Sequence, residues 1–389
     1  MSLPISRKKY PLAKSITYLN HGGYGVSSNK VMQARFDALL RVESSPNDFF
    51  ANKVKNYDEW RKAADLVARR FGAQPGSVAL TENVTVAITS VLNVLKLNPG
   101  DEVLTTNRGY AAVQSAVGEV VAAAGAKTVV AKLPFPHPSP IQCLLGIEAA
   151  ITPKTKLVIV DHISSGTGLV LPVEGVTLLC HSLNIPVLID GAHAPGQVAL
   201  DIPKIAPDWY AANLHKWYGV PRSCGFLWAK DPEQRLHHPV LSYGVNEKFP
   251  NSFAWAGTRD PSAWLCIQPA FDFMDKKLGG EKALRDYCHQ LTLSGAKHAA
   301  QAWGTTITTP ETMTANMLLV PMPADLPYAL TPKGALDLQT DLGKAGFETC
   351  VPFTDAQSHH IRLAAYAYNR PKDFKKLADK VNALRKPIS

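Results

Sequence analysis

At 389 residues, 46% hydrophobic and 19% charged, the chain has room for one large domain with a smaller companion, and its composition excludes a disordered or low-complexity protein. The formal net charge of +9 comes from scattered Lys and Arg; the densest runs, "RKK" near the start and "DFKKLADKVNALRK" at the end, read as solvated faces, so no nucleic-acid partner is expected. No window holds the roughly 18 consecutive apolar residues of a membrane span, and the opening "MSLPISRKKYPLAKSITYLN" lacks an apolar signal core, so a cytoplasmic protein with no membrane partner is expected.

The first segment, "PLAKSITYLNHGGYG", has no helical period. From about residue 57 to 230 helical patterns alternate with short apolar runs. The helix "YDEWRKAADLVARRFG" precedes a strand at "VAL", a helix over Thr85 to Leu95, the strand "DEVLTT", another helix and the strand "TVVAKLP". Then come "KLVIVDHISS", the helix "VEGVTLLCHSLN", "PVLID", "DWYAANLH" and "CGFLWA". Strands alternating with helices at this spacing predict an α/β fold with a mostly parallel sheet covered on both faces. After about residue 260 the helices lengthen ("PSAWLCIQPAFDFMDKKLGG", "EKALRDYCHQLTLSGAKHAAQAWG"), with antiparallel strands around "ANMLLVPMP" and "HHIRLAAYAYN". We therefore expect a large domain over 24–258 and a smaller α+β domain built from 1–23 and 259–389.

In such sheets ligands bind beyond the carboxyl ends of the strands. Asp161, Asp190 and Asn213 each end an apolar run, so all three should face one crevice. Lys216, in "NLHKWYG", lies 26 residues after Asp190, a passage of one strand, loop and strand. A lysine and an acid at neighbouring strand ends suit pyridoxal phosphate, whose aldehyde condenses with an amine and whose pyridine nitrogen needs a carboxylate to keep its proton. The phosphate needs N–H groups at a helix start, and "ENVTVAITSVLNVL" supplies Asn83 and Thr85 there. Asn213 and His215 flank the lysine as further donors. Tyr110, in "TTNRGYAAV", is the aromatic placed to cover the ring.

Each residue alone also has an ordinary explanation: a surface lysine, an aspartate capping an Asp-Gly turn, a core histidine at His193, an N-cap at Thr85, a core Tyr110. Six cysteines, at 143, 180, 224, 266, 288 and 350, form no C-x-x-C pair, so neither zinc nor a disulfide framework is indicated. His237-His238 and His359-His360 lack the i, i+4 spacing of helical metal ligands and read as polar loop residues, so no metal is expected.

Taken together, "LTENVTVAI", "DHISSGTGLVLPV", "LIDGAHAPGQV", "DWYAANLHKWYGVPRSCGFLW", "WAGTRDPSAWL" and "IRLAAYAYN" resemble the class V branch of fold-type I pyridoxal-phosphate enzymes, within it the isopenicillin N epimerase-like group. The resemblance implies the fold-type I transferase architecture and assigns roles. Lys216 would be the Schiff-base lysine and later the proton carrier at Cα, with Asp190 the pyridinium partner and His193 beside the cofactor's O3′ oxygen. Val84, Thr85, Asn213 and His215 would form the phosphate cup. Thr258 would reach the phosphate of the other subunit's cofactor, implying a homodimer with shared active sites. Arg362 would grip the α-carboxylate of an amino-acid substrate. Ser165 would stand near the ring, and Asn20, His21 and Tyr24 would line the substrate pocket. His162 is open between a supporting and a structural role.

One lysine base supports epimerisation, transamination or β-elimination at Cα, so the expectation is an epimerase-like enzyme, with a C–S β-lyase, desulfurase or aminotransferase as rivals. A desulfurase needs a nucleophilic cysteine before the carboxylate-binding arginine. Cys350 lies twelve residues before Arg362, but "FETCVPFTDAQSHHIRL" reads as a strand and Cys350 as a core thiol. A cofactor-binding regulator without turnover is the non-enzymatic alternative; it would need a DNA-reading segment that the chain has no room for.

Overall fold

The computed structural model describes residues 5–51, 53–354 and 357–385, and of 53–57 the backbone alone. The strands in chain order are β1 (Thr17–Tyr18), β2 (Val78–Thr81), β3 (Glu102–Thr106), β4 (Lys127–Ala131), β5 (Thr155–Asp161) and β6 (Val187–Gly191). They continue with β7 (Trp209–Asn213), β8 (Gly225–Ala229), β9 (Met317–Pro321), β10 (Phe347–Glu348) and β11 (His360–Ala364).

Seven strands form one sheet in the order β2-β8-β7-β6-β5-β3-β4. All adjacent pairs from β7 to β4 are parallel, and β8 runs antiparallel to both β7 and β2. Successive residues of β5 face opposite cores: Leu157 and Ile159 pack with Val84, Ala87 and Val117 on one side, Val158 and Val160 with Val176 and Ile189 on the other. This two-sided burial explains why β5 and β6 read as continuous apolar runs. The sheet reverses its winding between β3 and β5, so the loops after Thr106 and Asp161 flank the switch point where ligands of such sheets bind.

The helices Val84–Val94, Ala111–Ala123, Pro140–Glu148 and Val173–Ser182 make the crossovers. The sequence placed the first of these one residue late at each end. The remaining chain builds an antiparallel pair, β9 with β11, against the helix Glu281–Trp303, on which the helix Pro371–Asn382 packs. Gly295 allows those two helices to meet, since a Cβ there would stand 2.4 Å from the Phe374 ring. β1 pairs with β10 in parallel, and Leu19 accepts the Ala364 N–H at 3.0 Å, which lays the N-terminal segment beside β11.

Several expectations need correction. The stretch from Phe347 to Leu363 is not one strand: β10 ends at Glu348 and β11 begins at His360, with Asp355 and Ala356 outside the described residues. Cys350 is half-buried, not a core thiol, and bridges Arg362 through the backbone. His359 and His360 are buried and His360 opens β11. His238 is buried too, its Nδ1 accepting the Val240 N–H and its Nε2 3.2 Å from Glu82. No helix among the described residues is long and apolar enough to cross a membrane.

Candidate active site

The residues singled out from the sequence gather at the carboxyl ends of β3, β5, β6 and β7. Asp161 and Asp190 are register partners on the neighbouring parallel strands β5 and β6, so their side chains leave the sheet side by side. Both are buried. Asp190 Oδ1 accepts the Ala192 N–H at 2.9 Å, which turns "GAHAPG" back over the strand end. Burial raises the Asp190 carboxyl, while the Ala192 N–H and the Lys216 charge pull it back. Asp161 is held well above the carboxylate range by burial and then by the Asp190 charge. Of the two, Asp190 therefore keeps the charge more readily.

Lys216 sits in the loop 214–224 that joins the antiparallel pair β7 and β8. Its Nζ is 3.0 Å from His193 Nε2. Burial pushes the amine down to about 8 against the attraction of the Asp190 carboxylate. The His193 ring is buried and held well below its ordinary range, first by burial and then by the Lys216 charge, so it is neutral. With the amine donating to Nε2, the ring proton sits on Nδ1, a buried donor with no acceptor among the described residues.

The helix Val84–Val94 opens with its donors only partly used. Asn83 caps it by accepting the Val86 N–H at 3.0 Å, and Asn213 Oδ1 accepts the Val84 N–H at 3.1 Å. Val84 and Asn213 thus brace each other, and the exposed Thr85 is the first-turn residue whose N–H and hydroxyl have no protein partner among the described residues. Gly225 permits this approach, because a Cβ there would stand 2.9 Å from Asn83 Cα. His215 Nδ1 is 2.8 Å from the Cys224 carbonyl and 3.3 Å from the Cys224 nitrogen; burial lowers this ring to about 4.

Arg362 is buried in β11. It donates through Nη2 to Asn20 Oδ1 at 2.7 Å and through Nη1 to the Ser165 carbonyl, leaving a buried Nε without a partner. Its charge is felt at both Lys216 and His193. Tyr110 precedes the helix Ala111–Ala123 and is 47% exposed, open at the mouth instead of packed as core. Tyr24 and Thr258 are exposed.

His21 is fully buried, and its Nε2 is 3.0 Å from the Lys216 carbonyl. Tyr366 and Tyr368, to which no role was assigned from the sequence, contact His21 from the turn that follows β11. His162, whose role was open, bonds Tyr210 OH through Nδ1 at 2.7 Å beneath the site.

The groups present fit pyridoxal phosphate: a buried acid, an amine of lowered basicity, an unpaired buried N–H at His193 and an incompletely used helix start. The sequence profile described as Aminotransferase class-V matches residues 18–377. A putative L-cysteine desulfhydrase 1 of Oryza sativa subsp. japonica is 30% identical over 95% of this chain and 83% of its own length. Isopenicillin N epimerase of Streptomyces clavuligerus is 26% identical over 97% of both chains. Among solved structures, a cystine C–S lyase in complex with cysteine persulfide superposes with a TM-score of 0.80 at 18% identity, covering 96% of this chain and 99% of that one. A variant of that lyase, with glycine covalently linked to its pyridoxal-phosphate cofactor, gives 0.79 at 18% identity, covering 98% and 100%. By its motifs, its fold and this match over most of its length, the chain belongs to the class V aminotransferase family.

Proposed function

We propose that the protein is a pyridoxal-phosphate enzyme that removes the Cα proton of an α-amino acid, with Lys216 as the base. The observation that carries this is the Lys216 amine, brought down to about 8 beside Asp190 and His193 and within the field of Arg362. When bound, the cofactor supplies an aldehyde for the substrate amine and a ring that takes up electron density from Cα.

The chain's own groups do the rest. Asp190 would hold a proton at the pyridine nitrogen. The Nδ1–H of His193 would donate to the ring oxygen. Thr85 and the helix start would bind phosphate, aided by the dipole. His215, whose Nδ1 can accept the Cys224 N–H at 3.3 Å, would then donate through Nε2–H as a neutral ring. Arg362 binds the substrate carboxylate with its unused edge, and its hold on Asn20 and Ser165 fixes that edge in place. Tyr110, exposed just before the helix Ala111–Ala123, would cover the open face of the ring.

Two outcomes follow from one Cα carbanion. The cysteine desulfhydrases among the relatives favour β-elimination of sulfur, with cysteine giving sulfide, pyruvate and ammonia. The isopenicillin N epimerases favour return of the proton to Cα. Proton NMR of the cofactor-loaded protein in D2O with L-cysteine, cystine and a panel of amino acids separates them. Pyruvate with released sulfide supports the lyase; α-proton exchange with an intact skeleton supports the epimerase; neither, with any substrate, removes the proposal.

The working unit proposed is a homodimer. The helix Asn29–Ser44 exposes Met32, Phe36 and Leu40 along one stripe, and exposed Thr258 is free to reach a second copy.

A further inference from the structure

Asn20 and His21 are neighbours in the chain, yet they serve two different points of the site. Asn20 holds Arg362. His21 holds the lysine loop. Its Nε2 is 3.0 Å from the Lys216 carbonyl, and its Nδ1 is 2.7 Å from the Tyr368 hydroxyl. A carbonyl only accepts, so the ring hydrogen is on Nε2, and Nδ1 accepts from Tyr368. Burial keeps this ring neutral, with its pKa pushed down to about 3.

The ring also lies flat on Tyr366, with centroids 3.5 Å apart and planes 8° from parallel. The Tyr366 hydroxyl donates to the Trp217 carbonyl at 3.1 Å. Two consecutive carbonyls, 216 and 217, are therefore each held by one member of a single stack. The loop has little freedom on its other side, where Gly25 passes so close that a Cβ would stand 2.0 Å from the His215 carbonyl oxygen.

We propose that His21, Tyr366 and Tyr368 form a positioning unit that fixes the backbone of Lys216 and so sets its amine against Asp190 and His193. The proposal rests on the reading of Lys216 as the base. It also gives a physical link between substrate binding and the lysine: the segment 362–368 carries both Arg362 and the two tyrosines, and residues 20 and 21 bind it at both places.

The test uses His21→Phe, which keeps a stacked ring and removes both hydrogen bonds, together with Tyr368→Phe and Tyr366→Phe, which remove one hydroxyl each. In the cofactor-free protein, labelling of Lys216 by trinitrobenzenesulfonate is followed by peptide mass spectrometry against pH, beside thermal unfolding. The parent midpoint is expected near 8. In folded variants a loosened, better hydrated lysine should move that midpoint up by about one unit toward the ordinary lysine value. In the loaded enzyme kcat should fall about tenfold with KM within about twofold, as expected when geometry and not binding is lost. Variants that melt earlier yet keep the parent midpoint and kcat would reduce the stack to plain core packing and overturn the proposal. Should His21→Phe not fold, the two tyrosine variants decide the matter alone. A parent that takes up no cofactor sinks the catalytic reading instead, and the labelling midpoints still report whether the stack places Lys216.

Discussion

Lys216 Nζ stands 3.0 Å from His193 Nε2, amine to lone pair, above two buried aspartates that are register partners. Only a neutral amine attacks an aldehyde, and here the amine loses its proton near pH 8. The rate of cofactor capture by the cofactor-free protein, followed by stopped-flow absorbance, should rise about tenfold per pH unit up to about 8 and then level off. A rate still climbing beyond about pH 10 would mean an ordinary lysine. Lys216→Ala should abolish the visible band of the loaded protein and lower turnover by more than about 100-fold.

Arg362 is buried with two nitrogens committed to Asn20 and Ser165, so its fork is aimed before substrate arrives. Arg362→Lys keeps the charge and loses the fork. KM for the amino acid should rise about 10- to 100-fold, the worth of a charge-assisted hydrogen bond, while the cofactor band stays unchanged. An unchanged KM would put the carboxylate elsewhere.

The residues legible in the sequence were those where a polar side chain interrupts an apolar run. Asp161, Asp190 and Asn213 end buried strands, and the strand rule alone gathers them at one edge of the sheet. Lys216 was legible by its distance from them. His21 entered only through the resemblance, as a pocket residue; its contacts were not legible, because its partners lie 195 and 347 residues away in the chain. The partner of His360 is nonlocal too: it pairs with Pro321 of β9, with a helix and β10 between them in the chain, so the polar pair His359-His360 read as loop. Asn213 was legible as a site residue but not as the brace for Val84, because an amide side chain offers both a donor and an acceptor.

The exposed stripe Met32, Phe36 and Leu40 should be covered by a second copy. Phe36→Glu places a charge in its middle. Light scattering should find the parent at twice the chain mass and the variant at the chain mass, with the variant's loaded activity reduced because Thr258 then reaches no partner. A monomeric parent with full activity ends the dimer proposal.

His162 is buried beneath the site, and burial lowers its pKa from 6.5 to about 4. The folded state therefore binds fewer protons than the unfolded state between these values, so the stability this ring contributes is complete above about pH 6.5 and drains as the pH falls. Moving from pH 7.5 to 5.5 should cost about 1.4 kcal/mol through His162 alone. Asp161 and Asp190 are raised and act in the opposite sense, so the clean reading is a difference. Urea unfolding of the parent should lose about 1.4 kcal/mol more over that interval than His162→Gln does. Equal losses would mean that this histidine is not the buried neutral group described.

Gly25 has φ +65° and passes the lysine loop so closely that a Cβ would lie 2.0 Å from the His215 carbonyl oxygen and 2.7 Å from that of Lys216. Alanine there meets two penalties at once: a backbone conformation that side chains avoid, and a collision with main chain that cannot swing aside. Gly25→Ala should therefore lower stability by about 2 kcal/mol or more and displace Lys216. Gly166 supplies the contrast. It is also beside the site, next to Ser165, but a Cβ there meets nothing within 4 Å and its φ is not in the left-handed region. Gly166→Ala should keep the parent melting temperature and cofactor uptake. If both variants lose cofactor equally, the N-terminal segment is not what holds the lysine loop in place; if only Gly25→Ala does, the contact between "HGGYG" and "NLHKWYG" is a requirement of the site.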